Sequence, residues 1–401
     1  MKKESAVLDH PAKARVLAPF DAARLDALMD EKGVDVILAT SPHNVQYLLG
    51  GYRFFFFETI TAIGVSRYLP IVAYFRGRPD AALYVGSVME KYAWNSGAFW
   101  TPHCAAESWG SMDAMATAIE HIKKLGLPVD RIGVETGFLP ADAKDALAAA
   151  FPNSRIIDAL RILELLRAMK TSEELALLKK VAEGVEGGVL AAFASARPGM
   201  SGHQFVEQVR AEQIARGVDF AFCQISIGSS FNRVPSDQIL KKGEIVSLDA
   251  GGTLKGYAGD LCRMGVAAEP DAELIDLLAE IDVVQQAARR AIRAGVAGGS
   301  LIAAGDAVVE TSPHRSTMDF TVHGMGLVLH EAPRLAYGRP LPYPADDAER
   351  PLEVGMLLSV ETSIRHPTRG FIKMEDTLAV TTDGCEAFAD NGRGWNIIGV
   401  G

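Results

Sequence analysis

Residues 245–266 read IVSLDAGGTLKGYAGDLCRMGV, and this stretch decides the fold of the second half of the chain. Two mostly apolar runs, at 244–251 and 257–266, predict a pair of strands joined by a glycine-containing turn. The pair brings Asp249 and Asp260 close together, although a buried carboxylate is costly unless it is paired or bound to a metal. The hairpin therefore indicates a cation site.

A second predicted strand pair, at 356–364 and 371–382, repeats this arrangement with two glutamates. Because side chains alternate along a strand, Glu361 and Glu375 can point toward the two aspartates of the first pair. His323 lies in the sequence Val-His-Gly-Met-Gly, where glycines allow close approach of the backbone. Four acids and one imidazole are therefore expected to converge.

Electrostatics suggests what would hold these groups together. Four carboxylates without cations would repel one another, and at least one would stay protonated. Two divalent ions balance their charge, and oxygen ligands with one imidazole suit manganese, iron, cobalt or zinc. A closed structural zinc site would be richer in sulfur or histidine. Taken singly, each acid could be a turn or edge-strand residue and His323 an ordinary core histidine, so the prediction rests on the set.

Five motifs carry a resemblance to a known superfamily. They are SLDAGG, GYAGDLCR, HGMGLVLHEAP, SVETS and KMEDTLAVT, spread over residues 170–385. In this order they resemble the metal-binding motifs of the M24 metallopeptidase superfamily, which includes methionine aminopeptidase, Xaa-Pro dipeptidase (prolidase) and creatinase. Residues 41–50, SPHNVQYLLG, are similar to the creatinase/prolidase N-terminal domain. The resemblance implies an α+β chain with a C-terminal pita-bread domain and a smaller α/β N-terminal domain.

The resemblance also assigns roles to residues. It implies that two divalent ions, manganese first and cobalt, iron or zinc as alternatives, bind to Asp249, Asp260, His323, Glu361 and Glu375. Asp260 and Glu375 would bridge the ions, and Glu361 would also accept a proton from the attacking water. His330 would contact the substrate and the developing oxyanion. Its alternative is a histidine that caps the following turn.

Substrate contacts are expected from four further residues. In prolidase-like motifs an arginine two residues before the glutamate meets the substrate carboxylate, so the resemblance implies that Lys373 either takes this role as a point charge or balances the acidic cluster. The loop at 228–237 lacks the histidine that prolidases and creatinase carry there, and Arg233 is a candidate to face the substrate instead. The aromatic run around Phe55 and Phe56 is either a buried strand or a hydrophobic lid, which in creatinase-like dimers would act on the partner's active site.

The domain organisation follows from length and from one capping signal. A chain of 401 residues exceeds one ordinary core. Strands alternating with helices predict an α/β domain over 1–165, and Thr171 with Glu174 fits a capping box that begins a helix of the second domain, 166–401.

Composition narrows the partners. The formal net charge of -10 disfavours nucleic acid and anionic membrane surfaces. Four separated cysteines favour a reducing compartment, and the N-terminus lacks the apolar run of a secretory signal, so a cytoplasmic protein is expected. The resemblance implies a homodimer.

Competing functions remain open at this level. The first is a peptidase for short peptides with proline after the scissile bond. The second is a small-molecule amide hydrolase, such as an ectoine-hydrolase-like enzyme, which the missing loop histidine and the phenylalanine cluster favour. A metal-dependent lyase on the same scaffold is a third, and a non-enzymatic binding protein is disfavoured because all five ligand positions hold ligand residues.

Overall fold

The computed structural model of the protein describes residues 8–9, 17–59, 64–339 and 341–399. The chain divides into two compact units, Met1–Leu166 and Arg167–Gly401. The division lies one residue beyond the boundary expected from the sequence.

The N-terminal unit is built on one mixed sheet. Its strands are β1 (Leu8–Asp9), β2 (Val36–Ala39), β3 (Ile71–Phe75), β4 (Arg78–Ser87), β5 (His103–Ser108), β6 (Arg131–Val134) and β7 (Arg155–Asp158). Its helices are α1 (Ala22–Lys32), α2 (Pro42–Leu48), α3 (Phe56–Thr59), α4 (Lys91–Asn95), α5 (Ser111–Leu125), α6 (Ala141–Ala150) and α7 (Leu160–Ala168), the last of which ends beyond the division. Among the described residues, the strand order is β1-β5-β4-β3-β2-β6-β7. The α/β character that the sequence predicts is present.

Local signals explain where α1 begins and ends. The Asp21 carboxylate accepts the backbone N–H of Arg24 at 2.9 Å and so satisfies a donor at the helix N-terminus. Gly33 follows the helix with φ 63°, a left-handed conformation that favours glycine. Strand β2 follows directly and is buried along its whole length.

The aromatic run does not form the buried strand that was one of its two expected roles. Phe56–Thr59 is instead the short helix α3. Phe54 and Phe56 are buried together with Tyr68, whereas Phe55 is 53% exposed. A short apolar run has no period that separates helix from strand, so tertiary packing decided this segment.

The C-terminal unit is built on a second sheet. Its strands are β8 (Asp219–Ile227), β9 (Ile245–Leu254), β10 (Tyr257–Val266), β11 (Met318–Gly324), β12 (Glu331–Arg334), β13 (Leu357–His366), β14 (Gly370–Val380), β15 (Cys385–Phe388) and β16 (Asn396–Ile397). Its helices are α8 (Ser172–Ser195), α9 (Gly202–Ala215), α10 (Ala272–Ala291) and α11 (Gly299–Val309). The main path of the sheet runs β12-β11-β13-β14-β10-β9-β8, with every neighbouring pair on it antiparallel.

The long helix α8 covers one face of this sheet. The Thr171 hydroxyl accepts the backbone N–H of Glu174 at 3.2 Å, and the Glu174 carboxylate accepts the N–H of Thr171 at 2.8 Å, which confirms the predicted capping box. Apolar residues of α8, such as Val181 and Val185, pack with Leu248 of β9 in the core of the unit. The opposite face of the sheet is left to carry polar side chains.

Candidate metal centre

The five predicted ligands lie on adjacent cross-strand rows of one sheet face. Glu361 and Glu375 are directly opposite each other on β13 and β14, and Cys262 of β10 lies opposite both Glu375 and Asp249. The next row, two residues along each strand, holds Asp260 and His323. In this second row His323 is opposite Ser359, Ser359 is opposite Thr377, and Asp260 is opposite Gly251.

The side chains form two possible metal-binding groups. One consists of His323, Glu361 and Glu375, and the other of Asp249, Asp260 and Glu375, each with ligand atoms within 4.8 Å of one another. Glu375 belongs to both. The structure therefore brings all five predicted ligands together, with Glu361 the most exposed of them.

Two buried atoms at this centre are better explained as metal ligands than as partners in structural hydrogen bonds. The Nε2 atom of His323 and the Oδ1 atom of Asp260 have no hydrogen-bond partner in the described structure. The Nδ1 atom of His323 lies 3.2 Å from the carbonyl oxygen of Gly324, which can only accept, so in the neutral ring, the form that binds a metal, Nδ1 carries the proton and Nε2 offers a lone pair. The donor set thus fits divalent ions.

The ionisation of the side chains reflects their crowding. Burial, with the neighbouring charges of Glu375 and Asp249, raises the pKa of Asp260 well above its usual range. Burial also raises the pKa of Asp249. The pKa of Glu375 is lowered because, although burial opposes it, Lys373 and His323 stabilise the carboxylate. Such opposed shifts within one cluster are typical of functional sites.

Lys373 lies among the ligands rather than at their edge. Its buried ammonium nitrogen is 2.7 Å from Asp249 Oδ2, 2.6 Å from Glu361 Oε2 and 2.8 Å from Glu375 Oε2. Burial would lower the pKa of Lys373, but these carboxylates raise it well above its usual range. Of the two roles expected from the sequence, the contacts favour charge balance.

Arg233 reaches the same centre from the loop that follows β8. Its guanidinium forms an ion pair with Asp249 Oδ2 and lies 4.7 Å from the centre of the Phe371 ring. Sequence analysis expected it to face substrate, and it lines the cavity above the ligands, but its contact with Asp249 was not foreseen.

His330 lies beside His323, with ring centroids 3.9 Å apart. Burial and the neighbouring His323 lower the pKa of His330 to about 4. The imidazole is therefore neutral at pH 7 and can donate a hydrogen bond without carrying a charge. It lines the same cavity as the five ligand residues.

Two neighbouring cavities lie on this face of the C-terminal unit. The first, of about 290 Å³, lies over the ligands and includes His330 in its wall. The second, of about 410 Å³, lies further along the strands toward Phe371 and Arg365. Both share Arg233, Glu361 and Lys373, so these residues mark the junction between them.

Sequence analysis missed one residue that supports the ligand-bearing strands. Gln285 of α10 is fully buried and donates to the carbonyl oxygens of Val360 (3.1 Å) and Met374 (2.6 Å). These carbonyls immediately precede Glu361 and Glu375, so Gln285 ties the two ligand-bearing strands together on the far face. Only tertiary structure reveals this role, because a glutamine within a helix carries no signal for it.

Four carboxylates and a histidine around a cavity are typical of a metal-dependent hydrolase. Two family models match the chain: the creatinase/prolidase N-terminal domain over residues 22–169, and metallopeptidase family M24 over residues 176–382. The chain belongs to metallopeptidase family M24. It is therefore a metal-dependent hydrolase of the peptidase type, as the sequence motifs indicated.

Individual relatives are distant but extend over most of the chain. An uncharacterized peptidase of Bacillus subtilis, YqhT, is 23% identical over 90% of this chain and 95% of its own length. The Xaa-Pro dipeptidase of Pyrococcus horikoshii is 23% identical over 89% of this chain and 93% of the relative. The solved Xaa-Pro dipeptidase from Bacillus anthracis superposes with a TM-score of 0.78 at 23% identity, covering 94% of this chain and 98% of that one. This likeness confirms the expected pita-bread fold.

None of the helices among the described residues is both long and apolar enough to cross a membrane.

Proposed function

We propose that this chain is a dinuclear metallopeptidase that cleaves short peptides with proline after the scissile bond, in the manner of an Xaa-Pro dipeptidase. The observation that carries the proposal is the position of Glu375, which belongs to both candidate metal-binding groups. A carboxylate shared in this way can bridge two ions. Relatives that align over most of the chain and are named Xaa-Pro dipeptidases support the substrate class.

In this proposal the five ligands already described would hold the ions, with Glu375 common to both groups and Asp260 expected from the family resemblance to share in that role, and manganese is the first metal to test. Divalent ions at such a centre activate water and polarise the scissile carbonyl. Glu361 accepts the proton of the attacking water, a role for which its position at the junction of both cavities is suitable.

His330 serves as the neutral hydrogen-bond donor to the developing oxyanion. Electrostatic stabilisation of this kind is usually the largest contribution that a single group makes to such a reaction. Its depressed pKa keeps it neutral across the neutral pH range, so its donor capacity does not change there. Arg233 and Lys373 lie where a substrate group would pass from one cavity to the other.

A second candidate is a small-molecule amide hydrolase. The observation that favours it is the loop at 228–237, where Arg233 rather than a histidine reaches the centre and contacts Asp249. A guanidinium in that position takes up space in the cavity above the ligands, which favours a compact substrate. Its positive charge favours an anionic one.

The test is turnover of a panel of Xaa-Pro dipeptides, matched Xaa-Ala dipeptides and cyclic amides, after loading with Mn²⁺. Hydrolysis selective for the Xaa-Pro substrates, lost in Asp260→Ala together with bound metal, would support the peptidase. Hydrolysis confined to cyclic amides would replace it with the second candidate. A fully metal-loaded protein that cleaves nothing in the panel would contradict both.

The assembly and compartment are also proposals. We propose a cytoplasmic homodimer, as expected from the sequence, with no nucleic acid or membrane partner. Sedimentation equilibrium at micromolar concentration measures the assembly directly, and a monomeric mass would contradict the proposed homodimer.

A further inference from the structure

His330 is the last residue of a short loop whose two ends meet in the sheet. The loop joins β11, which ends at Gly324, to β12, which begins at Glu331. Gly324 and Glu331 are cross-strand partners, so the loop leaves the sheet and returns to it at one place. A β-carbon at Gly324 would lie 2.4 Å from the carbonyl oxygen of Ala332, so the two strands approach closely here. The backbone at Glu331 therefore determines where the end of the loop lies.

The His330 ring is not held by a hydrogen bond at Nδ1. This atom is buried and has no hydrogen-bond partner in the described structure. The ring packs against His323, with centroids 3.9 Å apart. The position of the imidazole therefore depends on this packing and on whatever fixes the backbone that carries it.

Glu331, the next residue, is held by two cations. Its buried carboxylate lies 2.9 Å from Arg167 Nη2 and 3.1 Å from Lys170 Nζ. The Lys170 ammonium also donates to the carbonyl oxygen of Ala168 at 3.3 Å, and the Lys170 backbone N–H donates to the carbonyl oxygen of Gly355 at 3.0 Å. The carboxylate thus joins the first residue of β12 to the segment with which the C-terminal unit begins.

The loop that ends at His330 packs directly on this ion pair. A β-carbon at Gly326 would lie 2.4 Å from Glu331 Oε1 and 2.9 Å from Lys170 Cε, so the backbone of the loop lies against both groups. A buried charge that loses its partners is costly, which keeps the carboxylate beside the two cations. Movement of the carboxylate would therefore displace the loop.

We propose that Glu331, held by Arg167 and Lys170, is a positioning residue that sets the place of His330 beside His323. This rests on the proposed function, in which His330 donates to the developing oxyanion. Glu331 is not among the described residues that line either cavity, so it acts through its neighbour and not on the substrate. A misplacement of about 1 Å can lower an enzymatic rate about 100-fold. Loss of the contacts of Glu331 therefore reduces turnover through His330.

The experiment is a double-mutant cycle of Glu331→Gln and His330→Gln, with kcat and KM measured on Mn²⁺-loaded protein and an Xaa-Pro dipeptide. We expect Glu331→Gln alone to lower kcat by about tenfold to 100-fold. KM and bound Mn²⁺ should change little, because an oxyanion contact forms only in the transition state. In the His330→Gln background the same substitution should have little further effect, since the group that Glu331 positions is already absent.

Lys170→Met is the milder variant, because it removes one cation and keeps the pair of Glu331 with Arg167. It should cause a smaller fall in kcat, which should also disappear in the His330→Gln background. This variant keeps the test available if Glu331→Gln does not fold, and circular dichroism confirms folding of each variant.

Glu280→Gln is the matched control. Glu280 is another glutamate of the C-terminal unit with an ionisable partner, His314 Nδ1 at 2.7 Å, and it is not among the residues that line either cavity in the described structure. Its substitution should leave kcat unchanged in both backgrounds.

The outcomes separate this inference from the proposed function. An unchanged kcat in folded Glu331→Gln, or losses that multiply in the double variant, would overturn the inference and leave the proposed peptidase standing. Loss of bound Mn²⁺ in Glu331→Gln would assign the effect to the metal centre and would also overturn it. A normal kcat in metal-loaded His330→Gln would instead contradict the role of His330 in the proposed function, whatever the effect of Glu331→Gln.

Discussion

Glu361 and Glu375 lie directly opposite each other on the antiparallel strands β13 and β14, and Ser359 donates a hydrogen bond to Glu375 Oε1 at 2.7 Å. An antiparallel pairing of this kind brings the β-carbons of opposed residues to within about 4.5–5.5 Å. Two like charges at that separation are unfavourable unless a cation lies between them. The register of the sheet therefore places two carboxylates where a cation between them is favourable.

Loss of the Glu375 charge should disable both metal positions. Glu375→Gln keeps the side-chain shape but removes the carboxylate common to the two groups. We expect bound Mn²⁺ to fall to near zero and hydrolysis with it, whereas Glu361→Gln should lose mainly the ion on the histidine side. Metal content by mass spectrometry after gel filtration measures both variants.

The exposed Glu269→Gln is the control for this experiment and should bind metal as the unaltered protein does. Full metal content in Glu375→Gln would show that Glu375 is not a ligand.

His330→Gln should impair turnover without releasing metal. We expect kcat to fall by about 10²–10³, the effect of removing one oxyanion donor, with little change in KM. Because the pKa of His330 is about 4, its ionisation should not contribute a step to the activity profile between pH 5.5 and 8. Steady-state kinetics across that range, with metal content in parallel, tests both statements.

His203→Gln, at an exposed position of α9, should behave as the unaltered protein in the same assay. A normal kcat in a metal-loaded His330→Gln variant would remove His330 from the mechanism.

Sequence analysis predicted the site correctly where the alternation of side chains along a strand determines the face on which each residue lies. The side-chain alternation of β9, β10, β13 and β14 predicts that Asp249 and Glu361 share a face, and the structure has this arrangement. It failed where tertiary packing decides. The Phe54–Phe57 run has no period, and the ion pair of Arg233 with Asp249 depends on the path of a loop that no local pattern specifies.

Glu331 should stabilise the C-terminal unit in a pH-dependent way. Its buried carboxylate lies 2.9 Å from Arg167 Nη2 and 3.1 Å from Lys170 Nζ. Burial alone would raise its pKa, but these two cations lower it. Since the folded-state pKa lies below the unfolded value of about 4.3, the stabilisation is present above that pH and is lost as pH falls through the folded-state pKa.

Glu331→Gln leaves both cations without their carboxylate, a change that costs about 3–5 kcal/mol in buried pairs. We expect this loss in urea unfolding at pH 7 and a smaller difference from the unaltered protein below pH 4. Glu386→Gln, which breaks an exposed pair with Lys179, should have little effect at either pH. A difference that stays constant with pH would assign the loss to packing instead of charge.

Phe55 is the residue with which to test the proposed hydrophobic lid. Phe56 packs against Phe54 and Tyr68 with ring centroids 4.8 and 5.5 Å apart, so Phe56→Ala should cost about 3–5 kcal/mol of stability. Phe55 is 53% exposed, although its ring lies 4.7 Å from that of Phe54 and 4.5 Å from that of Phe56, so Phe55→Ala should lower the unfolding temperature much less than Phe56→Ala. If Phe55 covers bound substrate, KM should rise while kcat stays close to its normal value.

The comparison of these two variants separates a lid from a core residue. A raised KM in Phe55→Ala, with cooperative unfolding and normal metal content, would support contact with substrate. A normal KM in that folded variant would leave the exposed ring without a part in binding, and the cluster of Phe54, Phe56 and Tyr68 would then account for the whole aromatic run as packing of the N-terminal unit.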